Sequence, residues 1–109
     1  MEPANSSVCV VLCTCPDSAT AESLAHGLVS EQLAACVNII PEIRSVFRWE
    51  GKVRSESEQL MVIKTTPGKY QALESWLQEN HPYDVPEVLM LPVNKGLDSY
   101  LAWVIDETS

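Results

Sequence analysis

The chain has 109 residues, of which 46% are hydrophobic, and a formal charge of −8 from fifteen acidic and seven basic side chains. Length and apolar content suit one domain with a modest core and argue against disorder. The negative balance repels phosphate backbones and anionic lipid, so neither nucleic acid nor a membrane surface is an expected partner.

Residues 1–7 (MEPANSS) have neither a basic n-region nor an apolar h-region and read as a disordered tail, not a signal peptide. Residues 8–109 read as one domain. No apolar run approaches the roughly 20 residues that span a bilayer. The expected location is the cytoplasm, where the four cysteines stay thiols.

Val8 to Thr14 (VCVVLCT) is a valine-rich apolar run, read as a buried strand. Pro16 breaks it, and Asp17 or Ser18 caps the helix that follows. Ala21, Leu24, Ala25, Leu28 and Val29 recur there at helical spacing, through to about Leu33. Val37 to Thr66 then reads as one long antiparallel hairpin turning at Glu50-Gly51, where glycine supplies a positive φ. On its first arm Ile43, Ser45, Phe47 and Trp49 point one way, and Arg44, Val46, Arg48 and Glu50 the other. Pro41 fits a bulge or an unpaired edge position. Leu60-Met61-Val62-Ile63 is apolar on both faces, as a central strand is. Strands usually span about 3–10 residues, and each arm exceeds what short neighbours can cover. Phe47, Trp49 and Val53 therefore project beyond the sheet and mark a subunit contact.

Thr66-Pro67 opens a second helix with Tyr70, Leu73 and Leu77 as its buried stripe and Trp76 beside it. His81-Pro82 ends it. Tyr83 to Pro86 is a connector, Glu87 to Val93 a last strand, and Lys95-Gly96 a turn. Asp98 or Ser99 caps a terminal helix with Leu101, Val104 and Ile105 inward, and Tyr100 and Trp103 as packing residues. The halves echo each other: VLCTCP and VIKTTP each lead from strand into helix. The order is an α+β, ferredoxin-like double split βαβ with a C-terminal helix.

Cys9, Cys13 and Cys15 share one strand face by parity. Thiolates select copper(I), zinc and similar ions, but no CxxC pair or Cys/His set has structural-zinc spacing. The competing reading for these cysteines and for Cys36 is a small buried hydrophobe. His26 reads as a surface residue. His81 is either a C-terminal capping histidine or a metal ligand whose partners come from elsewhere in the fold or from another subunit. Lys64 either snorkels to water or meets Glu87 in a cleft. Trp49 and Trp103 read as packing residues. There is no GxSxG, Walker loop, GxGxxG or HExxH, so an enzyme is not expected.

The runs VVLCTCPD, EQLAACVNIIP, RWEGKV, MVIKTT, HPYDVPEVLMLPV and DSYLAWV, in that order, resemble the CutA divalent-cation tolerance family from about Val8 to Val104. The resemblance implies a ferredoxin-like subunit in a PII-like homotrimer, with hairpin arms pairing between subunits and a role in tolerance of copper and other divalent metals. It implies a metal site on a first-strand cysteine, here Cys13, and two histidines before the Pro-Tyr. The second maps to His81, and Asn80 stands at the first. Asparagine is a weak ligand for copper, which leaves Cys15 or Asp84 as local substitutes. Copper(II) or another divalent ion is the implied cofactor. Lys64, Trp49, Tyr83, Pro86 and Glu87 match family positions around an inter-subunit cleft. The alternatives to metal binding are a PII-like regulatory or small-molecule-binding module and a structural trimeric scaffold.

Overall fold

A computed structural model describes residues 7–109. The disordered tail read over residues 1–7 falls, for residues 1–6, outside the described residues. Strand β1 (Cys9–Cys15), helix α1 (Ser18–Ser30), strands β2 (Cys36–Trp49) and β3 (Lys52–Thr65), helix α2 (Pro67–Asn80), strand β4 (Leu89–Pro92) and helix α3 (Asp98–Glu107) follow in that order. The four strands form one antiparallel sheet in the order β2-β3-β1-β4.

Local chemistry accounts for the ends of the elements. The Asp17 carboxylate accepts the Thr20 N–H at 2.8 Å and starts α1. Pro67 occupies the first turn of α2, where a missing N–H costs nothing. α1 stops at Ser30, earlier than the apolar spacing suggests. Gln32 takes φ 58 there, and Val29 is left 43% exposed. At α3 the N-cap is Leu97, with no side-chain cap. Asp98 lies in the first turn, where its charge meets the helix dipole. β4 is shorter than the apolar run Glu87–Val93, because β1 offers partners only to Leu89 through Pro92.

The hairpin turns through Glu50 and Gly51, both at positive φ (50 and 78). That is the two-residue geometry which matches strand twist. The register shifts between Ile40 and Ile43, where Pro41 and Glu42 bulge and Glu42 takes φ 56. β1 pairs with β3 only over Gln59–Thr65. From Lys52 to Glu58 the ribbon has two strands, and Val46 and Val53 are 68% and 67% exposed.

Odd-numbered residues of β1 and β3 face α1 and α2. Val11, Cys13, Cys15, Met61 and Ile63 are buried there with Leu24, Leu28, Leu73 and Leu77. Gly27 admits the Trp76 ring between the two helices. A second, small cluster joins Val8, Ala35 and Val104 of α3, and Ile105 faces outward. The opposite sheet face carries Val10, Leu12, Leu60 and Val62, flanked by Ile40, Leu89 and Leu91. The three flanking side chains are 44%, 54% and 47% exposed in the single chain.

Candidate metal centre

Cys13 and Cys15 lie two residues apart at the end of β1, so both side chains point to the helix-covered face. The C-terminus of α2 reaches the same place. His81 is its C-cap, and its N–H closes on the Leu77 carbonyl at 2.8 Å. The two sulfurs and one imidazole nitrogen all lie within 4.8 Å of one another. Both cysteines are fully buried and His81 nearly so.

Hydrogen bonds assign the histidine's protons. The Tyr83 backbone N–H donates to Nδ1 at 3.1 Å, so Nδ1 is an acceptor. Nε2 therefore carries the proton and donates to the Thr14 carbonyl at 2.8 Å. Both nitrogens are engaged: a metal at Nδ1 displaces the Tyr83 bond, and a metal at Nε2 displaces both, since the ring proton then moves to Nδ1. The two thiols act on each other. A hydrogen bond from Cys13 holds Cys15 below the usual thiol range. The same bond, with burial and the Cys15, Glu87 and Glu58 charges, pushes Cys13 well above it.

The donor set has a chemical preference. Two sulfurs and one imidazole suit zinc and copper(I), and fit poorly with magnesium or calcium, which take oxygen. Asn80 contributes nothing here: its amide turns back to the Trp76 carbonyl at 2.8 Å. Asp84 lies outside the group and lines a cavity beside it.

That cavity, about 850 Å³, opens between the hairpin ribbon and the loop after α2. Trp49, Tyr83, Pro86 and Glu87, four of the five residues matched to the family's cleft, line it together. Lys64 does not. Its ammonium contacts the Asn38 side-chain oxygen and lies 3.9 Å from Cys36 Sγ, so the contact with Glu87 does not form. Glu58 was not legible as a site residue. It pairs with Ile43 just past the bulge, and its carboxylate accepts the Tyr83 hydroxyl at 2.8 Å. Burial first, and then Glu58, push that phenol up. Two carboxylates, Glu56 and Glu58, ahead of Leu60–Ile63 were the only signal for it.

Residues 9–107 match the family described as CutA1 divalent ion tolerance protein. The chain belongs to the CutA1 family. The CutA1 match runs from the first strand through the last helix. Among curated relatives, "Protein CutA, chloroplastic" of Arabidopsis thaliana is 48% identical over 91% of this chain. The chain spans about half of that relative's length (54%). "Divalent-cation tolerance protein CutA" of Pectobacterium atrosepticum is 48% identical over 87% of this chain and 86% of its own. The crystal structure of CutA from Xylella fastidiosa superposes with a TM-score of 0.93 at 38% identity, covering 95% of this chain and all of that one. The Pectobacterium name describes tolerance of divalent cations, and none of the three names a reaction.

Proposed function

We propose that this protein binds a soft metal ion through Cys13, Cys15 and His81 and thereby contributes to metal tolerance in the cytoplasm. The convergence of three buried donor atoms within 4.8 Å carries the reading. Copper remains the leading ion, and two sulfurs favour copper(I) or zinc over copper(II). Cys15 supplies the donor that Asn80 lacks.

The active form in this reading is a ferredoxin-like, PII-like homotrimer. The strand order β2-β3-β1-β4 and the two helices on one face support that fold. An apolar sheet face and a ribbon running past its own sheet support the assembly, because both leave greasy surface that only another chain removes from water.

Titration of the reduced protein with zinc and copper(I) tests the metal. Wild type binds one ion per chain, and Cys13→Ser, Cys15→Ser and His81→Ala each weaken binding. Identical isotherms for all four proteins overturn the reading.

A second reading, a small-molecule module, is favoured by one observation: Trp49, Tyr83, Pro86 and Glu87 line a single cavity of ligand size.

A further inference from the structure

We infer that Gln59 is a positioning residue of the metal centre: once a metal ion displaces the thiol protons, its carboxamide donates an N–H to the Cys15 sulfur. The inference rests on the proposed ion at Cys13, Cys15 and His81, and adds the donor that steadies the charge of that site.

Gln59 stands directly across from Cys15 in the pairing of β1 with β3. Cross-strand partners share a face, with Cβ atoms about 5 Å apart. That face is the helix-covered one, where Cys13, Cys15, Met61 and Ile63 are fully buried. Gln59 itself is 9% exposed, and its cover comes from its own chain, so its burial does not wait for assembly. Buried polar side chains normally find partners. Thr65, on the same face of β3, donates to the Leu33 carbonyl at 2.6 Å, and His81 is held at both nitrogens. The Gln59 carboxamide takes no hydrogen bond among the described residues. An amide left idle under cover is unfavourable.

The thiols show what this amide serves. Without metal, the Cys13 S–H bonds to the Cys15 sulfur. Coordination sends that proton to solvent, so Cys15 loses its donor as its own charge is fixed. Two thiolates and a neutral imidazole leave one net negative charge on copper(I) and none on zinc. Glu58 and Glu87 act on Cys13 as further like charges. A buried anion needs hydrogen-bond donors, and a bond from N–H to a charged acceptor is among the stronger ones. Gln59 has two amide N–H groups and lies opposite the sulfur that needs one. Its carboxamide oxygen is a hard donor, poorly matched to copper(I), so the side chain acts through the sulfur and not on the ion.

Gln59→Met, close in volume and apolar, tests this. With chelator present, the variant should unfold at the same urea concentration as wild type or a higher one, because it removes an unpaired buried amide. In titrations of the reduced protein it should bind copper(I) about tenfold more weakly than wild type. Its loss for zinc should be smaller, since that site carries less net charge. In wild type loaded with NMR-active cadmium, a scalar coupling between the metal and the Gln59 side-chain amide proton should report the hydrogen bond directly. Unchanged affinity for both ions overturns the inference and leaves the metal site standing. Equal losses for both ions, or a lower urea midpoint without metal, mark a packing role and overturn it too. So does a cadmium-loaded wild type without the coupling. A wild type that binds neither copper(I) nor zinc overturns the metal site and this inference together.

Discussion

The imidazole of His81 brackets two segments: Nε2 donates to the Thr14 carbonyl at 2.8 Å, while Nδ1 accepts the Tyr83 N–H at 3.1 Å. Thr14 lies between the two thiols on β1 and also lines the cavity, as Tyr83 does. One ring thus joins the metal donors to the cavity wall. A structural role and a ligand role separate in His81→Gln. Without any metal, this variant should lose about 1–3 kcal/mol, because buried polar groups are left unpaired. Urea unfolding in the presence of chelator measures it, and an unchanged midpoint removes the bracket. Metal loading at either nitrogen should also speed exchange of the Tyr83 amide hydrogen, because loading at Nε2 moves the ring proton to Nδ1, which then no longer accepts.

Metal affinity should rise with pH through the neutral range. Coordination needs thiolates, and the second proton of the Cys13–Cys15 pair is hard to remove, since the hydrogen bond with the partner sulfur, then burial and nearby carboxylates, hold Cys13 protonated. Binding therefore expels protons, and raising the pH favours it. Calorimetry in buffers of different ionisation enthalpy counts them, and zero release would exclude thiolate ligation.

Much of this architecture was legible because hydrophobic periodicity dominates it. Met61 and Ile63 alternate with half-buried Leu60 and Val62 on a strand paired on both sides, and Glu50-Gly51 announced its own turn. The end of α1 was not legible, since Gln32 adopts a positive φ without being glycine or asparagine. Cys13 and His81 were found through resemblance, 68 positions apart in the chain. Their meeting with Cys15 depends on how α2 crosses the end of β1. Lys64 lies outside the cavity of the single chain, because its ammonium reaches Asn38 on the neighbouring strand.

The Cys9 and Tyr70 contributions to stability should be constant from pH 7 to about pH 9 and fall as the pH climbs beyond it. Burial raises the Cys9 thiol from 9.0 to about 11. The Glu74 carboxylate, hydrogen-bonded to Tyr70, raises that phenol from 10.0 to about 12. Each group is favoured neutral in the fold, so its contribution is complete below its unfolded value and is lost as pH rises through the folded one. Denaturant midpoints between pH 7 and 11 test this. A Cys9→Ala variant should begin its decline at higher pH than wild type.

Gly27→Ala should destabilise by about 1–3 kcal/mol despite the better helix propensity of alanine. A Cβ at this position falls 2.5 Å from two atoms of the Trp76 ring, which is held between α1 and α2. Pairing it with Trp76→Leu should recover part of the loss. A stabilised single variant would mean that the ring moves freely.

Assembly can be separated from folding at Leu91. Its side chain is 47% exposed in one chain and shares a face with Val10, away from α1 and α2. Glutamate there should cost an isolated subunit little, because a half-exposed site already meets water. In an assembled protein the same charge would be buried in an apolar contact and left unpaired, which is strongly unfavourable. Leu91→Glu should thus shift sedimentation from the proposed trimer toward monomer, with the far-ultraviolet spectrum of the fold retained. Stability should also become dependent on protein concentration. A variant that still sediments as wild type would show that this face is not the contact, and the overhanging ribbon would then need a different cover.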